Sequence, residues 1–228
     1  MRKKMIILVT ILMIIALSIV FFMDKKDIIT VAQVNSNTYK ILVDVEESRL
    51  YLFENDKIVK VYKCAGGKPS TPSPIGTWKI IQKANWGEGF GGSWMGFNVP
   101  WGQFGIHGTL DKYSIGWSSS HGCIRMNNED VAELYKIIPY GTKVTIVDGV
   151  YGAFGKGFRS LKSGMYGSDV LEIQKKLKEL GFLNASPNGK FGEATEEAIK
   201  MFCKQNKMYV TKIITPELIQ KMGFTLID

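Results

Sequence analysis

The residue types best suited to chemistry lie close together in this chain. There are two histidines, His107 and His121, and both precede Cys123 by no more than sixteen residues. A thiol becomes a strong nucleophile as the thiolate, and a nearby histidine is the usual base that takes its proton. Glycines flank the cluster and leave backbone N–H groups free to face a substrate. The spacing therefore predicts chemistry at Cys123.

Three kinds of chemistry fit these side chains. In the first, Cys123 carries out acyl transfer, His107 takes its proton, and the N–H groups of Gly122 and Cys123 hold the oxyanion. In the second, the two histidines and the cysteine bind zinc, although two ligands would then lie only two residues apart. In the third, all three side chains are structural. The residues alone leave the choice open.

The other two cysteines have apolar surroundings in the sequence. Cys64 follows a strand-like run and Cys203 lies in a helix-like run, so both are expected to fill core positions. An odd number of cysteines leaves at least one thiol free in an exported protein. Neither cysteine has the histidine and glycine neighbours that set Cys123 apart.

Residues 5–23 form an apolar run of nineteen residues that one threonine and one serine interrupt. About 20 apolar residues cross a bilayer as a helix. The basic tail of residues 1–4 places the N-terminus in the cytoplasm by the positive-inside rule. A cleaved signal peptide is the alternative, but no small-residue cleavage site precedes Asp24. We expect a single-pass anchor, a linker over 24–38, and the rest of the chain on the extracytoplasmic face.

The net charge of +8 is unevenly distributed. Residues 37–150 carry twelve basic and eleven acidic groups, so this part has no basic stripe of the kind that binds nucleic acid. Residues 151–228 are mildly basic, which suits an anionic wall or lipid surface and equally an ordinary solvated surface. No nucleic-acid partner is expected.

Alternating apolar and polar residues predict a mainly β middle part of the chain. The predicted strands are 39–45, 49–53, 57–62, 77–81 and 142–147. A helix is predicted from Asn128, as its cap, to Tyr135. Residues 39–148 are thus expected to form one domain, with Cys123 near the start of its helix.

Residues 84–105 are rich in glycine and aromatic residues and are predicted to form a long structured loop. Loops of this length in compact domains are usually functional or disordered, and the aromatic content argues against disorder. We interpret the segment as an aromatic wall or lid beside Cys123, with Trp94 and Trp101 as substrate contacts. Simple packing is the alternative.

The last third of the chain is helical in character. After a linker over 149–158, helices are predicted from Ser168 or Asp169, over 193–205, and from Thr215 with Pro216 at its first position. Three short helices make residues 159–226 a small all-α module.

Residues 39–147 resemble the YkuD-type L,D-transpeptidase catalytic domain. That family's signature is a histidine, a spacer of about a dozen residues, and Ser/Thr-His-Gly-Cys followed by a hydrophobic residue and Asn or Arg. The matching segments here are Gly105-Ile106-His107-Gly108-Thr109, Ser120-His121-Gly122-Cys123-Ile124-Arg125, the continuation Met126 to Val131, and Thr71-Pro72-Ser73-Pro74-Ile75-Gly76-Thr77. The resemblance implies a β-sandwich or barrel with one helix on the active-site side.

The resemblance also implies roles for the residues of the cluster. Cys123 is expected to be the nucleophile and His107 its proton acceptor and donor, oriented by a main-chain carbonyl near Gly108. Ser120 and His121 are expected to support the site, and Gly122 to supply an oxyanion donor with Cys123.

Arg125 is expected to bind a substrate carboxylate, because its planar fork suits carboxylates. An ion pair with Glu129 or Asp130 is the alternative. Neither a metal nor a cofactor is expected.

The final third resembles three-helix peptidoglycan-binding modules. The matching pieces are Leu161-Lys162-Ser163-Gly164, Leu180-Gly181-Phe182, Gly189-Lys190-Phe191-Gly192 and Ala198 to Phe202. Two positions depart from the family pattern: Asn188 replaces an aspartate and Cys203 a glutamine. The resemblance implies binding of glycan or stem peptide by this module.

Together the resemblances imply a membrane-anchored enzyme of the bacterial cell wall. It would cleave the terminal D-alanine from a tetrapeptide stem through a thioester acyl-enzyme and transfer the acyl group to an amine of another stem. Stem peptides are then both donor and acceptor. Hydrolysis of the same bond, which is L,D-carboxypeptidase activity, and a mainly wall-binding role are the alternatives.

Overall fold

The computed structural model describes residues 38–226. The predicted anchor at residues 5–23 lies outside these described residues, as do the tail 1–4 and most of the linker 24–38. Within residues 38–226, no helix is both long and apolar enough to cross a bilayer. From Tyr39 onward the described chain forms one compact unit that contains two hydrophobic cores.

An eight-stranded sheet surrounds the first core. Its strands are β1 (Tyr39–Asp44), β2 (Arg49–Glu54), β3 (Lys57–Lys63), β4 (Gly76–Ala84), β5 (Trp94–Phe97), β6 (Gly105–Gly108), β7 (Ile124–Met126) and β8 (Lys143–Val147). They lie in the order β3-β2-β1-β8-β4-β5-β6-β7, and a bridge from Ala65 to Arg125 joins the chain after β3 to β7. The two ends of the sheet therefore meet. The predicted mainly β, barrel-like fold is confirmed.

The opening meander follows directly from its alternating sequence. In β2, Leu50 and Leu52 are buried while their neighbours along the strand point outward. β2 and β3 are joined by Asn55 and Asp56, which both have positive φ, as a two-residue hairpin turn requires. These features confirm the first three predicted strands.

The prediction of a loop over 84–105 is wrong in part. The segment contains a 3-10 turn, Glu88–Phe90, and the strand β5, and β6 begins at Gly105. All four residues of β5 and of β6 are buried, so their sequences carry no alternation of polar and apolar positions. This is why β5 and β6 cannot be predicted from alternation in the sequence.

One helix, α1 (Asn128–Ile137), packs beside β6. The helix is confirmed, but its N-cap is Asn127 rather than Asn128, and it ends two residues later than predicted. The Asn127 side chain donates to Asp130 Oδ2 at 3.2 Å. Asn128, at the first helical position, uses its side chain elsewhere.

The C-terminal part contains three helices, as predicted. They are α2 (Ser168–Glu179), α3 (Glu193–Gln205) and α4 (Pro216–Lys221). α4 is capped by Thr215, whose hydroxyl accepts the Leu218 N–H at 3.3 Å. In the predicted linker 149–158, Phe154 and Phe158 pack against the second core, which ties this segment to the helices.

Candidate active site

Two short parallel strands bring the predicted site residues together. In the register of β6 and β7, His107 lies opposite Arg125, and Ile106 lies opposite Ile124. The two isoleucines are fully buried in the first core, so His107 and Arg125 face the other side of the sheet. Cys123 immediately precedes β7, and its thiol is close enough to the Gly105 backbone and to Arg125 for both to lower its pKa. Strand pairing thus brings His107 beside Arg125, and the Cys123 thiol lies next to the start of β6.

The His107 ring is fixed by the chain next to it. Its Nδ1 lies 2.6 Å from the carbonyl oxygen of Gly108. A carbonyl only accepts hydrogen bonds, so Nδ1 carries the proton and Nε2 keeps a free lone pair. The residue expected to act as a base is therefore held in the tautomer that a base needs.

Asn128 holds the peptide group that orients this histidine. Its Oδ1 accepts the Thr109 N–H at 2.8 Å. That N–H and the Gly108 carbonyl belong to the same planar peptide, so fixing one end fixes the direction of the other. Sequence reasoning missed this role and treated Asn128 as a helix cap. The signal lay in the motif continuation Met126 to Val131, which includes Asn128.

Aromatic rings cover His107. The ring of Phe90 lies 4.8 Å from it and that of Trp94 5.8 Å, measured between centroids, and Trp86 stacks on Trp94 at 4.0 Å. This burial lowers the pKa of His107, while the bond to Gly108 raises it and the charge of Arg125 lowers it further. The imidazole is therefore held neutral.

The two tryptophans predicted as substrate contacts are buried. Trp94 is 1 % exposed and donates its indole N–H to Gln82 at 3.0 Å, and Trp101 is 8 % exposed. Trp94 therefore offers almost no surface to a substrate, whereas Trp101 lines an open groove, and its role as a substrate contact stays a prediction. Trp94 packs against the His107 ring, and Trp101 packs edge-on against Trp78, at 5.2 Å between ring centroids.

The Cys123 thiol is partly exposed and sits in a mixed environment. Burial raises its pKa, whereas the backbone of Gly105 and the charge of Arg125 lower it. Together with the lowered pKa of His107, this favours a neutral thiol beside a neutral imidazole in the resting protein. Proton transfer from sulfur to His107 would then accompany attack on a substrate.

Ser120 is buried within the turn that carries Cys123. Its hydroxyl donates to the Cys123 carbonyl at 2.6 Å and accepts the Gly122 N–H at 3.0 Å. The expected oxyanion role of Gly122 does not fit, because its N–H is already bonded. The Cys123 N–H has no acceptor within the described chain and is the available donor. Gly122 has φ +111°, and a Cβ there would press on Phe104, so glycine is required.

The backbone of Arg125 is hydrogen-bonded, whereas its side chain forms no ion pair with the described residues. Its N–H and carbonyl both bond to Ala65, at 3.0 and 2.9 Å. The alternative ion pairs with Glu129 and Asp130 are not formed, and across residues 38–226 no carboxylate lies within ion-pair distance of its guanidinium. The guanidinium is thus available for a carboxylate from outside.

The remaining candidates lie apart from this geometry. His121 is exposed to solvent. Cys64 and Cys203 are fully buried free thiols, as expected of core positions, and burial raises the pKa of Cys64 to about 12. In the described part of the chain, no three His, Cys, Asp or Glu side chains are grouped so that they could hold a metal ion.

Comparison with known families agrees with this arrangement. Residues 38–146 match the L,D-transpeptidase catalytic domain of the YkuD type, and residues 166–222 match a peptidoglycan-binding domain.

The curated relatives include two proteins from Bacillus species. The YkuD protein of Bacillus licheniformis is 43% identical over 109 residues, which cover 47% of this chain and 65% of the relative, so the match spans less than two thirds of it. The YqjB protein of Bacillus subtilis is 33% identical over 124 residues, which cover 47% of this chain and 70% of the relative. Both carry the assignment of L,D-transpeptidase.

Among solved structures, the catalytic domain of the Enterococcus faecium L,D-transpeptidase is 24% identical and covers 50% of this chain and 99% of that domain, with a TM-score of 0.43. From its sequence matches, the chain belongs to the YkuD family of L,D-transpeptidases.

The charge of Arg125 predicts a shift in the reactivity of Cys123. In Arg125→Gln, the pH midpoint for alkylation of Cys123 by iodoacetamide should rise, because the positive charge that lowers the thiol pKa is gone. The rate would be followed by mass spectrometry from about pH 6 to about pH 10, which brackets the ordinary thiol pKa of about 8.5. Arg49→Gln, an equal change at an exposed position of β2, should leave the midpoint in place. An unchanged or lower midpoint in Arg125→Gln would contradict this account.

The peptide held by Asn128 predicts a second effect. Asn128→Ala removes the acceptor of the Thr109 N–H and should slow acylation of Cys123 roughly tenfold, the equivalent of one lost hydrogen bond of about 1.4 kcal/mol. Asn128→Asp keeps an acceptor oxygen and should restore most of the rate. Asn127→Ala, which loses the bond to Asp130, is the matched control and should change thermal stability more than rate. Equal rates in all three variants would rule out the positioning role.

Proposed function

We propose that this protein is a peptidoglycan L,D-transpeptidase in which Cys123 is the nucleophile and His107 the base. The observation that carries the proposal is the pairing of β6 with β7, with the His107 tautomer set by the Gly108 carbonyl. Membership of the YkuD family supports the substrate class, since the relatives carry that assignment.

The proposed acylation step follows from the protonation states of the two side chains. The sulfur of Cys123 attacks the carbonyl carbon on the N-terminal side of the terminal D-alanine, and Nε2 of His107 takes the thiol proton. The carbonyl oxygen becomes negative and is met by the Cys123 N–H. The C–N bond then breaks, the departing amine takes the proton from His107, and a thioester remains.

Deacylation reverses these roles with a second stem. The amine of the acceptor attacks the thioester carbonyl and gives up a proton to His107, a C–N bond forms and the C–S bond breaks. The thiolate leaves and recovers the proton from the imidazolium. Arg125 supports this scheme as an unpaired cation beside the thiol, suited to a carboxylate of the donor stem. If water replaces the amine, the product is the hydrolysed tripeptide.

Intact-protein mass spectrometry tests the proposal. Incubation with a defined tetrapeptide stem should add the acyl tripeptide to the wild-type chain and to the Cys64→Ala and Cys203→Ala variants, but not to Cys123→Ala. With an acceptor amine, a cross-linked dimer should form. An adduct that persists in Cys123→Ala would refute the nucleophile, and tripeptide without dimer would identify a carboxypeptidase. Activity lost on chelation would favour the zinc alternative.

We also propose that the protein is held in the membrane by residues 5–23, with its catalytic part on the extracytoplasmic face and its C-terminal module on the wall. The support is the nineteen-residue apolar run behind a basic tail, and the match of residues 166–222 to peptidoglycan-binding domains.

The full chain should remain with membranes after an alkaline wash, and a chain starting at residue 24 should not. Protease added outside intact protoplasts should digest the catalytic part. Protection from that protease, or a full chain released by the wash, would count against the anchor.

A further inference from the structure

The C-terminal module is joined to the catalytic domain at Trp101. Gly189 lies against the Trp101 indole so closely that a Cβ there would collide with the ring, and its φ of +68° also favours glycine. The buried Gln174 fixes this loop. Its Oε1 accepts the N–H groups of Asn188 and Gly189, each at 2.8 Å, and its Nε2 donates to the Lys190 carbonyl at 2.8 Å.

This joint creates a groove with walls from both parts of the chain. Its volume is about 460 Å³, within the range of small-ligand sites. The catalytic domain supplies Ile81 and Gln82 of β4, Phe97 of β5 and Gln103, and the C-terminal module supplies Lys190. The groove therefore has apolar surface for a peptide chain and amide groups for its polar atoms.

The groove lining carries a single positive charge and no negative one. Lys190 is the one charged residue of its lining, and none of the carboxylates between residues 38 and 226 forms an ion pair with it. The backbone of Lys190 is held by Gln174 Nε2, which donates to its carbonyl, and by Asn188 Oδ1, which accepts its N–H at 2.9 Å. An unpaired ammonium beside apolar walls is complementary to a peptide that carries a carboxylate.

Two residues of the groove lining also lie next to the turn that carries Cys123, although Cys123 itself is not part of the lining. Gln103 lines the groove, and the Gln103 carbonyl oxygen lies 4.0 Å from the Cys123 sulfur. The next residue, Phe104, also lines the groove and contacts Gly122. Arg125, the cation assigned to the donor stem, lies on β7, at the far side of β6 from β5 and Phe97. The two cations therefore come from different parts of the chain, Arg125 from β7 and Lys190 from the C-terminal module.

We propose that this groove binds the acyl acceptor, a peptide stem whose carboxylate pairs with Lys190 while its amine reaches the thioester on Cys123. This rests on the proposed function, because it gives that reaction its second substrate site. The C-terminal module then contributes directly to acceptor binding, in addition to any affinity for the wall.

The test compares acceptor and donor kinetics in the full chain, purified in detergent. With a saturating tetrapeptide donor, the concentration of a tripeptide stem bearing a free amine is varied and dimer formation is measured. Lys190→Gln should raise the acceptor KM roughly fivefold, as expected for one exposed charge pair, and leave the rate of Cys123 acylation by donor alone unchanged. Lys190→Arg should restore the KM. Lys178→Gln, an exposed lysine of α2 outside the groove, is the control.

An acceptor with amidated carboxylates tests whether Lys190 pairs with a carboxylate of the acceptor. With the wild-type protein, the KM for this acceptor should be higher than that for the unmodified acceptor. With Lys190→Gln it should not be higher still, because amidation and the substitution remove the same charge pair. An unchanged acceptor KM in Lys190→Gln overturns the acceptor site. Slower donor acylation in that variant overturns it as well, by placing the donor there. Absence of both adduct and dimer in the wild type refutes the proposed function itself, and with it the acceptor site.

Discussion

The geometry of the site depends on one peptide group, the one that joins Gly108 to Thr109. Its carbonyl oxygen accepts a hydrogen bond from the Nδ1–H of His107, and its N–H donates to Oδ1 of Asn128 at the start of α1. Because a peptide is planar, α1, β6 and the imidazole ring of His107 become parts of one rigid arrangement. The helix dipole adds to this. The positive N-terminal end of α1 lies at Asn128 and favours the side-chain orientation in which the amide oxygen, and not the NH2 group, faces the Thr109 N–H. The direction of the imidazole is thus set by the backbone and α1, with no carboxylate involved.

Burial determines how such a pair can react. The aromatic rings of Trp86, Phe90 and Trp94 exclude water from His107 and lower its pKa, and burial raises that of Cys123. A preformed thiolate–imidazolium pair would have to overcome both shifts. The charge of Arg125 lowers the pKa of both groups, because it stabilises the thiolate of Cys123 and disfavours the imidazolium of His107. It thereby makes the thiol easier to ionise without trapping the base in its protonated form.

The sequence predicts the parts of this protein whose residues alternate or repeat with a regular period. The meander around Leu50 and Leu52 and the helices α2 and α3 have such periods. The start of α4 is marked by its cap and first-turn proline, and the cysteine and two histidines are recognisable by type. β5, β6 and β7 are not predictable in this way, because they are three or four residues long and largely buried on both faces. The roles of Asn128 and the Gly122 N–H depend on which partners are nearest in space. Residue type alone favours Asn128 as a helix cap and the Gly122 N–H as an oxyanion donor. Both assignments fail because Asn128 binds the Thr109 N–H and the Gly122 N–H is bonded to Ser120.

The joint at Trp101 has a consequence for the division of the chain into a catalytic and a wall-binding part. Each part has its own core, yet Leu171 of α2 packs into the first core and Gly189 lies on Trp101. Trp101 in turn contacts Phe104, at 6.5 Å between ring centroids, and Phe104 lies against Gly122, which precedes Cys123. A continuous line of packed groups therefore runs from the loop held by Gln174 to the turn that carries Cys123. Since close-packed interiors transmit displacement, a shift of the module relative to the sheet would move the wall of the site. The module is therefore better described as part of the active-site scaffold than as a separate tether.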